Sequence, residues 1–137
     1  MGLVVMIILD THIWIWWLND ETSRLSEKWS KTIKTSLSIA VSAISCFEVA
    51  WLNRHQRIEL PMEMTEWFEM ATAGSGIKII PITPRVAETA VELPEHHSDP
   101  QDRLIMATAI VHQAELISAD SKFRIYKELD NLLLPTT

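Results

Sequence analysis

The run Val4-Val5-Met6-Ile7-Ile8-Leu9 is continuously apolar, rich in β-branched residues, and stops at Asp10. An apolar run without alternation suits a strand covered on both faces, as in a parallel sheet. It is far shorter than the about 20 residues a bilayer span requires. No basic segment precedes it and no small-residue cleavage site follows, so a signal peptide is not expected.

Downstream, helical and strand-like segments alternate. Helices are expected over Thr11–Leu18, from a cap at Ser23 or Ser26 to about Thr35, and from about Phe47 to Gln56. Further helices are expected from Pro61 through Met70, over Pro84–Leu93, from Pro100 to about Ala114, and over Lys122–Glu128. Strands are expected at Ser38–Ser42, Ile77–Ile82 and Leu116–Ser118, with Leu132–Leu134 as an edge. Such alternation implies crossover connections and a mainly parallel sheet with helices on both faces, an α/β fold. Residues 1–137 read as one domain, without repeat, linker or low-complexity stretch.

The single cysteine, Cys46, rules out an intramolecular disulfide and a thiolate-rich zinc site. Its apolar surroundings make it a small buried hydrophobe, and a cytoplasmic location is the default expectation. The formal net charge of −6 disfavours a protein that coats nucleic acid through lysine and arginine. It does not exclude an enzyme acting on RNA. Four carboxylates in one site contribute about −4, which two divalent cations cancel locally.

In open parallel sheets, sites form beyond the carboxyl ends of the strands. Asp10 ends the first strand, and Asp120 follows Leu116-Ile117-Ser118. Asp102 stands in the first turn of a helix, atop the stripe Ile105, Met106, Ala109 and Ile110. Glu48 lies near the start of an apolar helix, an awkward place for an unpartnered carboxylate. Each residue admits a plainer role. Asp10 and Asp120 are also good helix caps, and Asp99 is a better one, because Asp-Pro-Gln-Asp puts proline at the first helical position. Asp102 also suits the helix dipole, and Glu48 a solvated face or a pair with Arg54 or Arg57. Taken jointly, four acids from distant segments at one sheet end repel each other unless cations hold them. Oxygen-only ligands of this number suit Mg²⁺ or Mn²⁺. A metal pair about 4 Å apart can activate water and steady the leaving oxygen in phosphodiester cleavage.

The blocks Leu9-Asp10-Thr11-His12 with Trp14, Ser42-Ala43-Ile44-Ser45 leading to Glu48-Val49-Ala50, and His97-Ser98-Asp99-Pro100-Gln101-Asp102-Arg103 resemble the PIN-domain family, specifically VapC-type toxins. Ala107-Thr108-Ala109 and Leu116-Ile117-Ser118-Ala119-Asp120 with Phe123 and Tyr126 continue the match in the family's order across nearly the whole chain. The resemblance implies a three-layer α/β/α sandwich around a mainly parallel sheet, Mg²⁺ or Mn²⁺ dependence, and endonucleolytic cleavage of RNA. It assigns Asp10, Glu48, Asp102 and Asp120 to the acidic positions. Thr11, Ser42 and Ser118 match polar positions that orient carboxylates or metal-bound water. Arg103 matches an arginine that serves either as a salt-bridge support or as a substrate contact. The family further implies a homodimer, a VapB-like antitoxin whose tail enters the active-site groove, and no membrane. The Met1–Val5 lead is slightly longer than in the shortest members, so Met6 is an alternative start.

Trp14, Trp16 and Trp17 cannot share one helix face, since residues two or three apart diverge by ~200–300°. At least one is expected to meet solvent, an antitoxin or a second copy, core packing being the plainer alternative. The loop pair His96-His97 lacks an evident third ligand and reads as solvated or as outer support to the site rather than as a metal ligand. Other phosphoesterases fit less well. A haloacid-dehalogenase-type phosphatase places a second acid where His12 stands, and a flap nuclease needs DNA-clamping segments that 137 residues hardly accommodate. A non-catalytic PIN module remains the alternative, although all four expected acids are present.

Overall fold

The computed structural model describes residues 5–136. Val4, the expected first residue of the opening strand, and most of the lead before Met6 lie outside the described residues. Four strands, β1 (Ile7–Leu9), β2 (Ile39–Ser42), β3 (Lys78–Ile80) and β4 (Glu115–Ile117), form one sheet in the order β3-β2-β1-β4, every pair parallel. Leu133 adds a parallel bridge to Leu116, so the expected edge strand is reduced to a single bridge. Six α-helices, α1 (Thr11–Leu18), α2 (Glu27–Thr35), α3 (Ala43–Arg54), α4 (Met64–Ala71), α5 (Pro84–Glu92) and α6 (Pro100–His112), complete the described fold with short 3₁₀ turns. It is the three-layer α/β/α sandwich with a parallel sheet.

The unbroken apolar strands now have their physical reason. Ile7 and Leu9 of β1, Ile39 and Val41 of β2, and Ile117 of β4 enter one core with residues of α1, α2 and α4. Ile8, Ala40 and Leu116, the alternate residues, enter the opposite core with Ile105, Met106 and Ala109 of α6. Side chains alternate across a strand, so the central strand β1, covered on both faces, is apolar at every position. Helix α5 closes on α6 through Val86, Ala90 and Ala107.

Three tryptophans build the α1/α4 side. Trp14 and Trp67 are fully buried and meet edge-on at 5.0 Å. Their indole N–H groups donate to the Ala71 carbonyl (3.1 Å) and to Asn19 Oδ1 (2.8 Å), and Trp29 donates to the Pro135 carbonyl (2.8 Å). Satisfied indoles make such burial favourable. Trp16 and Trp17 are half-covered, and Cys46 is half-buried against the same core rather than sealed within it. The open aromatics lie on α3 instead, where Phe47 is 56% and Trp51 43% exposed.

Beyond the edge strand, α3 starts at Ala43 rather than at about Phe47, because Ser42 caps it, and two further segments depart from the expected elements. Pro61 does not open a helix, and α4 begins at Met64. Ile58, Leu60, Met62 and Met64 are half-buried against the core while the residues between them are exposed, a period of two that one face of a helix cannot bury. The expected helix over Lys122–Glu128 is instead two 3₁₀ turns, Ser121–Ile125 and Lys127–Leu129. Phe123, Tyr126 and Leu129 are all buried at a spacing of three, which is the 3₁₀ period.

Of the two serines ahead of α2, Ser26 is the cap, accepting the Trp29 N–H at 3.1 Å. Ser26→Ala is expected to cost about 1 kcal/mol, read as a lower urea midpoint at unchanged slope. An unchanged midpoint would show that packing of Trp29 and Ile33 alone sets the start of α2.

Candidate active site

All four acids expected from the sequence meet at the carboxyl end of the sheet. Asp10 follows β1, Asp120 lies beyond β4, Glu48 is on α3 after β2, and Asp102 is in the first turn of α6. Together with Asp99, His12 and Trp16 they line a pocket of about 340 Å³. A larger cleft of about 620 Å³ adjoins it, sharing His12 and Trp16 and carrying Arg24 and Arg57. The larger cleft is lined by none of the four acids, which makes the smaller one the candidate site.

Local rules place each carboxylate. The Asp10 N–H completes the sheet ladder to the Ile117 carbonyl at 2.9 Å, and Asp10 Oδ1 accepts the Thr11 N–H at 2.8 Å as the cap of α1. Its Oδ2 accepts the buried Ser118 hydroxyl at 2.7 Å, and Ser118 Oγ in turn accepts the Asp120 N–H at 3.1 Å. One serine therefore ties two of the acids. Asp120 Oδ1 also accepts the Lys122 N–H at 2.9 Å, capping the first 3₁₀ turn. Capping and site membership are thus compatible for Asp10 and Asp120. Glu48 pairs with neither Arg54 nor Arg57 among the described residues. Its Oε1 accepts the Thr11 hydroxyl at 2.8 Å, and Thr11 contacts Ser45 Oγ at 2.9 Å.

Of the supporting residues, Ser42 and Arg103 take roles other than those expected, whereas Asp99 is the helix cap its sequence context suggested. Ser42 is fully buried and caps α3 at the Ile44 N–H (3.3 Å), and the hydroxyl joined to the carboxylate network is Ser45. Ser45 was legible in principle, since it precedes Glu48 by three residues and shares its helix face. Asp99 caps α6, accepting the N–H groups of Gln101 (2.8 Å) and Asp102 (3.2 Å) through Oδ1 while bordering the pocket. Arg103 makes no salt bridge among the described residues. It is buried, and its two terminal nitrogens donate to the carbonyls of Val91, Leu93, Pro94 and His97. It is a strap for the α5–α6 loop, as only a branched guanidinium can be.

That loop delivers His97, one of the two histidines read from the sequence as solvated or as outer support to the site. His97 Nε2 lies 2.6 Å from Asp102 Oδ2. His97, Asp102 and Asp120 each offer a ligand atom within 4.8 Å of the others.

The electrostatics follow from crowding and burial. The Glu48 carboxyl is pushed up to about 7, chiefly by burial, with Asp10, Asp102 and Asp99 adding repulsion against the Thr11 hydrogen bond. Asp102 is pushed up to about 6, again mainly by burial and opposed by His97. Asp10 is raised by burial against its bonds to Ser118 and Thr11. Three acids that resist ionisation around one pocket form a site whose charge calls for a cation. Thr11→Val removes the bond that favours the Glu48 carboxylate, so the Glu48 pKa should rise further in an NMR pH titration. An unchanged value would mean that burial alone controls it.

The profile of the PIN domain matches residues 7–129. The chain belongs to the PIN-domain family, in its VapC branch. It is 40% identical over 122 residues to Ribonuclease VapC22 of Mycobacterium tuberculosis, covering 88% of this chain and 92% of that protein. Among solved structures it resembles VapBC2 from Rickettsia felis bound to a DNA fragment from its promoter (TM-score 0.67, 20% identity, 94% of this chain and 97% of that one). It also resembles a toxin–antitoxin complex from Klebsiella pneumoniae (TM-score 0.62, 24% identity, 96% and 98%). At such identities the structural likeness speaks for the fold alone.

Proposed function

We propose that this chain is the toxin of a VapBC-type pair, a Mg²⁺- or Mn²⁺-dependent endoribonuclease whose active site is Asp10, Glu48, Asp102 and Asp120. The observation that carries the reading is the convergence of these carboxylates, three with raised pKa values, on one pocket. The 40% identity to a protein named a ribonuclease supports RNA as the substrate.

The donor set fits the cation. Carboxylate oxygens suit hard divalent ions, and the pocket has room for the waters such ions retain. When bound, the cation supplies positive charge against the phosphodiester and lowers the pKa of water. The chain's own residues prepare that chemistry. Ser118 and the Thr11 backbone N–H hold both oxygens of Asp10, the Thr11 hydroxyl aims Glu48, and His97 holds Asp102. In the adjoining cleft, Arg24 sits at 5.5 Å over Trp16, a residue that lines both cavities, and offers positive charge to a phosphate bound there.

Residues 1–137 act as one PIN unit in the cytoplasm. No helix among the described residues is long and apolar enough to cross a membrane. A VapB-like antitoxin and a second copy are the protein partners, and the open apolar stripe Phe47, Ala50 and Trp51 on α3 supports such contacts.

Purified protein freed of antitoxin should cut a structured RNA pool with Mg²⁺ or Mn²⁺ and stop in EDTA. Intact RNA under every cation, from folded protein that binds Mn²⁺, would favour a binding-only PIN module.

A further inference from the structure

We infer that His97 is a nitrogen ligand of the bound cation, forming with Asp102 and Asp120 a seat that favours Mn²⁺ over Mg²⁺. The inference rests on the metal-dependent reading above and goes beyond its four carboxylates. Two ligands in cis on one ion, each at about 2.1 Å, stand about 3 Å apart. His97 Nε2 and Asp102 Oδ2 are already 2.6 Å apart, with side chains only 13% and 17% exposed. An Asp120 oxygen lies within 4.8 Å of both, so small side-chain rotations close the set.

The backbone that carries the imidazole is also held in advance. The His97 N–H donates to Tyr126 Oη at 2.9 Å. The His97 carbonyl accepts both the Tyr126 hydroxyl (3.3 Å) and Arg103 Nη1 (3.2 Å). Tyr126 is fully buried and Arg103 nearly so, which anchors the His97 backbone to the core. A ligand fixed before binding loses little freedom when the ion arrives. Neighbouring His96 differs, with its exposed ring packed edge-on against Tyr126 at 5.0 Å. Imidazole nitrogen favours transition metals over Mg²⁺, whereas a carboxylate-only site distinguishes them poorly.

The competing role is purely orienting, with Nε2–H donating to Asp102 and no nitrogen on the metal. Loss of affinity alone does not separate the two, so the test reads the coordination sphere. Electron spin-echo spectroscopy of Mn²⁺ bound to the full chain should show ¹⁴N modulation that becomes ¹⁵N when histidine is isotope-labelled, which leaves the fold untouched. The modulation should vanish in His97→Gln and persist in His12→Gln. Calorimetry on His97→Gln should show Mn²⁺ affinity reduced about 10-fold or more, with a smaller change for Mg²⁺. Bound Mn²⁺ without histidine modulation, or modulation surviving in His97→Gln, overturns the inference and leaves the nuclease reading intact. Failure of folded protein to bind Mn²⁺ at all overturns both.

Discussion

Asp10→Asn is expected to lower RNA cleavage about 10²–10³-fold while making the cation-free protein more stable. The opposite signs come from one cause. Asp10 is 7% exposed, and burial holds its pKa above the ordinary carboxylate value, with Asp120 adding repulsion. Ionising Asp10 carries a burial cost that its bonds to Ser118 and Thr11 offset only in part, and that a bound cation would offset further. Asparagine keeps the shape: its Oδ1 still accepts the Thr11 N–H, and its amide can donate to Ser118 in place of the bond it loses. The pH dependence has a definite sign. Glu48 at about 7, Asp102 at about 6 and Asp10 all bind protons more tightly folded than unfolded. Their contribution to stability is therefore complete below the unfolded values near 4 and is lost as pH rises through the folded ones. Wild-type melting temperature without cation should fall between about pH 5 and pH 8. Asp10→Asn should melt several degrees higher at the upper end, and Mn²⁺ should restore wild type but not the variant. A variant that melts lower than wild type throughout would show that the Asp10 carboxylate stabilises the fold.

Arg103→Lys should cost about 2–4 kcal/mol, a large effect for a conservative exchange. The guanidinium donates at 2.9 and 3.2 Å to Pro94 and His97, and at 2.6 and 3.2 Å to Leu93 and Val91. An ammonium is a compact donor that cannot reach carbonyls on both sides of the fork, so some are left without a partner. Because the strapped loop carries His97 and leads to Asp99, cleavage should fall as well. Urea unfolding with parallel activity assays measures both. A stability within about 0.5 kcal/mol of wild type would mean that Tyr126 and the α6 cap hold the loop by themselves.

These two residues also show what the sequence could convey. Asp10 was legible because the apolar strand before it and the helix after it left one place for its carboxylate. The same logic of strand ends and helix starts located Glu48, Asp102 and Asp120. Arg103 was visible as a residue but not in its role, because its partners are backbone carbonyls, which sequence does not distinguish. His97 was read as solvated or as outer support to the site, and its nearness to Asp102, which decides between the two, depends on the path of the loop set by Arg103 and Tyr126. Ser42 caps α3 instead of reaching the carboxylates, because a hydroxyl at a helix start satisfies the nearest free N–H first. Among the elements, the segments read wrongly were those whose period is neither helical nor part of a strand: Ile58 to Met64 at two, and Phe123, Tyr126 and Leu129 at three.

Asp10, Glu48, Asp102 and Asp120 are proposed to act as one cation-holding site that cuts RNA. Their joint role is tested most directly by measuring the Mn²⁺-dependent cleavage rate of one RNA pool by wild type and by five amide variants of confirmed fold. Asp10→Asn, Glu48→Gln, Asp102→Asn and Asp120→Asn should each lose about 10²-fold or more. Asp99→Asn should keep most of the rate, because asparagine caps a helix as well as aspartate does. Near-wild-type cutting by any of the first four variants would contradict the account.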